Sequence, residues 1–230
     1  MSGYLGHEAA YRGVQFLDKR KVIDLRFMGV GALGSWLADV LARQGYENMT
    51  LLDRERVESE NFGTQNYGKS DVSRSKAIQC SHGIMRRLGV KSTPIHKQLS
   101  NMNAHTLVKG ADLVVDLFDN IESRALVKQN CESLNIPCLH GGLSSTGFAE
   151  VKWNDDYIII DKIDTTPAIT TPCDYPMASN LVHFTVSILA EVINKYVDEN
   201  IKEYVEFTLK DMNVDIRRRE NVKTQSGDSS

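Results

Sequence analysis

The sequence predicts an α/β fold: a Rossmann-like, mostly parallel sheet with helices on both faces and antiparallel strands toward the C-terminus. Three observations predict it. A glycine-rich turn, "GVGALGSW" at 29–36, joins the strand-like "VIDLRFM" to the helix-like "WLADVLARQG". Strand and helix patterns then alternate as far as "IPCLHGG". After that point "GFAEVKW" and "YIIID" alternate in hydropathy with no helix between them.

"KVIDLRFM" and "MTLLD" are short and apolar, the texture of buried strands, and the segment between them carries Trp36, Leu37, Val40 and Leu41 at helical spacing. That helix should stop at Gly45, so the first fifty or so residues form a right-handed βαβ unit. A polar, irregular stretch from Asp53 to Ala77 follows, then a helix whose apolar positions include Ile78, Ile84, Met85 and Leu88. "STPIHKQ" is a short strand, "ADLVVDLFD" the clearest buried strand, and a helix is expected from about Ile121 to Leu134. A Thr/Pro-rich loop, "DTTPAITTPCDYP", precedes "MASNLVHFTVSILAEVINKYV", a long helix apolar nearly all round and so expected to be buried. "YVEFTLKD" and "NVDIRRR" suit a final hairpin. With no internal repeat and no long linker, residues 1–220 are expected to form a single domain and 221–230 a disordered tail.

The composition restricts function. A formal charge of −3 offers no basic surface for nucleic acid, and the run Arg217–Arg219 lies between Asp215 and Glu220, as on a solvated strand end. No stretch approaches the roughly 20 apolar residues that span a bilayer. No signal peptide is visible, so the expected location is cytoplasmic, with no membrane and no nucleic-acid partner. Cys80, Cys131, Cys138 and Cys173 are widely spaced and form no C-x-x-C pair, so free thiols are expected and no zinc ribbon.

In the glycine turn, Gly29, Gly31 and Gly34 allow a tight bend, close approach of backbone to phosphate, and close helix–strand packing. The anion would then sit on the helix N-terminus. Asp53 closes the second strand about 20 residues on, where a carboxylate takes ribose hydroxyls. These residues indicate a nucleotide without deciding between a dinucleotide and ATP. The stretch after Asp53 holds Glu55, Asn61, Gln65, Arg74 and Lys76, amides and cations that suit a triphosphate. A loop that long inside a compact domain is usually functional. "DLFDNIESR" puts Asp116 and Asp119 at the C-terminal end of a central strand, where open α/β sheets bind ligands and a carboxylate can hold Mg²⁺.

On "GVGALGS", "LLDRERVESENFGTQ", "SRSKA" and "DLFDNIESR", the chain resembles the ThiF/MoeB/HesA adenylyltransferases, relatives of the ubiquitin-activating enzymes, from roughly residue 10 to 200. The resemblance implies a minimal adenylation domain using ATP and Mg²⁺, with Asp53 on ribose, Asn61 and Gln65 in the nucleotide pocket, Lys76 on the phosphates and Asp119 on magnesium. It assigns Arg12, in "AAYRGVQ", the role of reaching a partner subunit's ATP, which implies a homodimer. The family places an Arg just before the Gln, and here that slot is Thr64, so Arg74 or another cation must substitute or adenylation is weak. Members that pass their product to a thiol keep a cysteine in the crossover region, where Cys173 stands, and a helix-start cysteine favours the thiolate. The other three cysteines, on apolar elements, read as small hydrophobes, and His140 and His183 as structural histidines.

The expected function is ATP-dependent adenylation of the C-terminal carboxylate of a small ubiquitin-like or sulfur-carrier protein with a Gly-Gly tail, the acyl group then passing to Cys173 as a thioester or, alternatively, becoming a thiocarboxylate through a separate sulfur donor. The alternatives are a non-catalytic partner subunit of an activating enzyme, which Thr64 favours, and an NAD-dependent oxidoreductase. The latter would need a hydride-transfer acid/base and a substrate domain, and neither is apparent.

Overall fold

The computed structural model describes residues 3–159 and 178–218. Its single sheet has the strand order β3-β2-β1-β4-β5-β6-β7-β8. The strands are β1 (Leu25–Met28), β2 (Met49–Leu52), β3 (Thr93–Ile95), β4 (Leu113–Asp116), β5 (Cys138–Leu143), β6 (Phe148–Trp153), β7 (Glu203–Thr208) and β8 (Asn213–Arg218). β1 to β5 pair in parallel, and β6, β7 and β8 are added antiparallel. β1 pairs with β2 on one side and β4 on the other, so the chain reverses its winding direction there. Open α/β sheets bind ligands outside the carboxyl ends of strands at such a switch point.

Period-2 alternation along the short parallel strands fills two separate cores. Leu25, Phe27, Leu51, Leu113 and Val115 face α3 (Ala32–Arg43), α4 (Lys76–Leu88) and α7 (Ser179–Glu199). Met28, Leu52 and Val114 face α5 (Ala104–Val108) and α6 (Ile121–Ser133). The expected mostly parallel sheet with helices on both faces is therefore what forms.

Four local expectations change. Two helices precede β1, α1 (Gly6–Arg12) and α2 (Gln15–Val22), so Lys21 and Val22 end a helix rather than begin a strand. The described part of "YIIID", residues 157–159, is not a strand, because Tyr157 turns in to stack on His140. Met85 is largely exposed while Ile84 beside it is buried. Helix α7 is not buried all round: Leu181, Val182, Val186, Leu189 and Ile193 pack inward, whereas Asn180, His183 and Ser187 face out. The hairpin is present as β7–β8, and Arg217 and Arg218 pair there with Glu206 and Glu203, as a solvated strand end requires. The proposed tail 221–230 and the Thr/Pro loop around Cys173 lie outside the described residues.

The glycine turn is set by sterics. Gly29 has φ +102°, and a Cβ there would lie 3.1 Å from the Leu117 carbonyl oxygen. A Cβ on Gly34 would lie 2.1 Å from the Gly29 carbonyl oxygen, so the first turn of α3 can pack against the loop only without one. Gly34→Ala is expected to lower the unfolding free energy by about 3 kcal/mol, the upper end of ordinary overpacking costs. Urea denaturation reads this directly, and a loss of only about 0.5 kcal/mol, the scale of a neutral surface change, would show that the turn relaxes freely.

Cys80, Cys131 and Cys138 are all buried, and burial pushes the Cys80 thiol up to about 12. Iodoacetamide at about pH 8, near the ordinary thiol pKa, should leave all three unmodified in the native protein and label them after unfolding. Peptide mapping by mass spectrometry checks this, and native labelling at any of the three would contradict the packing.

Candidate active site

The site is built where β1 and β2 end. Gly31 caps α3 without a side chain, and a Cβ placed on it would meet nothing within 4 Å. The first turn of α3 has no side-chain cap on its N–H groups, and the helix dipole favours an anion there. Asp53, one residue past β2, is buried at 7% exposure and closes under this turn. Its Oδ2 accepts from the Val30 N–H at 2.9 Å and its Oδ1 from the Glu55 N–H at 2.8 Å. Burial raises the Asp53 carboxyl above the usual range, against the pull of those two N–H groups and of Lys76. A carboxylate has about four lone-pair sites, so two remain for hydroxyl donors.

The long polar stretch folds back over α3 rather than into solvent. The Trp36 indole N–H donates to the Thr64 carbonyl at 3.0 Å, and the Asn66 N–H donates to Ser35 Oγ at 3.0 Å. A 3-10 turn, Ser59–Gly63, is held by Asn61, whose Oδ1 accepts from the Glu58 N–H at 2.9 Å. Gln65 follows, and its Oε1 is buried with no hydrogen-bond partner among the described residues. Lys76 opens α4 and is 4% exposed, which rules out a solvated helix-start lysine. Its Nζ lies 2.7 Å from Glu55 Oε2, leaving two of its three donors free. Tyr67, which sequence inspection did not single out, donates its hydroxyl to the Val30 carbonyl at 2.6 Å and lies 3.2 Å from the Lys76 carbonyl. Only its position as an aromatic inside a polar loop could have marked it.

Polar contacts thus link Val30 of the glycine turn to Asp53, Asp53 to Glu55 and Glu55 to Lys76, while Asn61 and Gln65 lie on the stretch that folds back over α3. Asp119 is exposed on the adjoining β4–α6 loop, whose Leu117 carbonyl and Phe118 ring lie beside Gly29. Asp119 is not the N-cap of α6; Asn120 is, its side chain accepting from the Ser123 N–H at 2.9 Å. Asp116 is fully buried, with Oδ2 2.8 Å from His140 Nδ1, so it is turned away from any ligand. His140 is a buried core histidine, and His183 is exposed, its ring 4.7 Å from that of Trp36. Arg12 lies elsewhere: its guanidinium pairs with Glu8 and with Glu191 of α7, not with the glycine turn. Arg74 is exposed two residues before Lys76. Cys173 lies outside the described residues. Two open hollows, of about 630 and 540 Å³, lie beside the start of α7 and do not touch the glycine turn.

Comparison with known proteins agrees with the fold. The SAMP-activating enzyme E1 of Haloferax volcanii is 31% identical over 131 residues, covering 56% of this chain and 47% of that protein. The sulfur carrier protein ThiS adenylyltransferase of Bacillus subtilis is 28% identical over 149 residues, 61% of this chain and 44% of that protein. The chain thus spans about half the length of these relatives. Among solved structures, Escherichia coli MccB with ATP superposes with a TM-score of 0.76 over 98% of this chain and 75% of that one, at 14% identity, a likeness of fold. The model of the ThiF family matches residues 11–226, and the chain belongs to that family.

Proposed function

We propose that this chain uses ATP to adenylate the C-terminal carboxylate of a small ubiquitin-like or sulfur-carrier protein ending in Gly-Gly. The observation that carries the proposal is the chain of polar contacts Val30–Asp53–Glu55–Lys76 at the uncapped start of α3, which sets a buried carboxylate and a buried lysine beside the glycine turn. The names of the relatives support the substrate class.

The residues fit a nucleotide triphosphate. Asp53 takes the ribose hydroxyls, Asn61 and Gln65 line the base side, and the open backbone at Gly31 with Lys76 receives the phosphates. The carrier carboxylate attacks the α-phosphorus, the bond to the β-phosphate oxygen breaks, and pyrophosphate departs. Positioned positive charge is what such a step needs. Asp119, exposed on the β4–α6 loop, would hold Mg²⁺, since a carboxylate oxygen suits that hard ion. When bound there, Mg²⁺ supplies charge neutralisation at the leaving pyrophosphate.

Arg74, exposed and near Lys76, is the available substitute for the cation that Thr64 replaces. Arg12 would serve a second copy's nucleotide across a two-fold homodimer in the cytoplasm, after exchanging Glu8 and Glu191 for phosphate. A second reading, a non-catalytic partner subunit, is favoured by Thr64 alone.

Mg-ATP is expected to raise the melting temperature and NAD to leave it unchanged, since only a ligand of the native state shifts stability. Lys76→Ala and Asp119→Ala should each cut pyrophosphate exchange with a Gly-Gly carrier by about 10²-fold or more, the scale for losing a preorganised charge. Stabilisation by NAD alone, or full exchange in both variants, would overturn the proposal. No exchange in the parent with any carrier would favour the non-catalytic reading.

Cys173 is proposed to take the acyl group as a thioester, displacing AMP. Cys173→Ala should keep pyrophosphate exchange, which reports only the first half-reaction, and lose any thiol-sensitive enzyme–carrier adduct on a non-reducing gel. An adduct that survives the substitution reassigns the nucleophile.

A further inference from the structure

The residue preceding Asp119 is held at both of its backbone polar groups. The Phe118 N–H donates to Asp116 Oδ1 at 3.2 Å, and the Phe118 carbonyl accepts from Arg124 Nε at 2.5 Å. Arg124 spends its other two nitrogens on the Gly141 carbonyl at 2.7 Å and the Tyr157 hydroxyl at 2.7 Å. The Tyr157 ring in turn stacks on His140, with centroids 4.0 Å apart, and His140 lies against the second oxygen of Asp116. Asp116 and Arg124 thus grip one residue from opposite sides, and each is braced by β5 or by the segment after β6. Asp119 itself is exposed, and no side-chain hydrogen bond or ion pair restrains it among the described residues. Its placement therefore depends on the backbone that carries it.

We propose that Arg124 and Asp116 are positioning residues for Asp119, clamping Phe118 so that the Asp119 carboxylate is presented to the phosphate end of the crevice. This inference rests on the reading of Asp119 as the phosphate-end carboxylate. The guanidinium is needed for its shape: three bonds in three fixed directions suit a planar fork and not the point charge of a lysine. Arg124→Lys keeps the positive charge facing Asp116 and gives up the fork, so it separates positioning from charge balance. Residues that orient a ligating group typically cost 10–100-fold in affinity or activity when changed.

The first measurement needs no nucleotide. By hydrogen–deuterium exchange on the full chain, the Phe118 amide of the parent should be protected like β4. In Arg124→Lys it should exchange about tenfold faster or more, the worth of one charge-assisted hydrogen bond, while β1 and β2 keep their parent rates. The second is pyrophosphate exchange with a Gly-Gly carrier. The half-saturating Mg²⁺ concentration should rise about tenfold with the carrier KM unchanged, and excess Mg²⁺ should restore the rate. A purely structural defect would lower the active fraction and leave the Mg²⁺ half-saturation where it was. If Arg124→Lys does not fold, Asp116→Asn, which keeps an oxygen for Phe118 and removes the opposing charge, should show the same local loosening. A fast-exchanging Phe118 amide in the parent overturns the clamp without any substitution. So does an Arg124→Lys protein with parent-like protection and Mg²⁺ dependence. Absence of exchange activity in the parent would count against the adenylation reading, and the protection measurement would still decide the clamp.

Discussion

The carboxylate of Asp53 is the interaction on which the site depends. It is buried, and a buried charge must be partnered or it will neutralise. Its two oxygens take the N–H groups of Val30 and Glu55, one from the glycine turn and one from the start of the polar stretch. The ends of β1 and β2 are thereby joined through one side chain. Glu55, placed by that bond, holds Lys76 at the start of α4. Without Asp53 the turn and the stretch would keep only the Tyr67 hydroxyl bridge to Val30 at this depth, and Lys76 would lose the residue that aims it.

The polar stretch illustrates why a long segment without regular structure can still be rigid. Its backbone groups are satisfied by the side chains of elements it crosses: Ser35 and Trp36 of α3, and its own Asn61. Tyr67 adds a hydroxyl bridge to Val30 at the glycine turn. Each of these bonds gives a partner to a group at least partly withdrawn from water. The exception in this stretch is the Gln65 amide oxygen, buried with no hydrogen-bond partner among the described residues.

Polar clusters outside the crevice have a different task. Arg20 is fully buried and paired with Asp198 and Glu8, and Tyr46 donates to Asn194, so α2 and the end of α3 are tied to α7. Arg12 belongs to this group through Glu191. These pairs contribute register and orientation more than net stability, since removing charges from water offsets much of their attraction. They also show why a motif-based role for Arg12 needs a change of partner: the side chain is already engaged in its own chain.

The sequence by itself determined the strand–turn–helix unit, the parallel core, the antiparallel extension and the place of Asp53 beside the glycine turn, because these follow from short-range causes. Glycine sterics, period-2 apolar runs and the spacing from Gly29 to Asp53 act within a few dozen residues. The inward turn of Asp116 and the outward position of Asp119 could not be read from "DLFDNIESR", where both are carboxylates near a strand end. Their difference comes from His140, which is presented by the neighbouring strand β5. The burial of Lys76 and the clasp of Arg124 on Phe118, which Gly141 and Tyr157 brace, were likewise decided by tertiary structure. In each case the partner is a backbone or side-chain group brought close by packing, and a linear pattern does not record which of two similar residues will meet it.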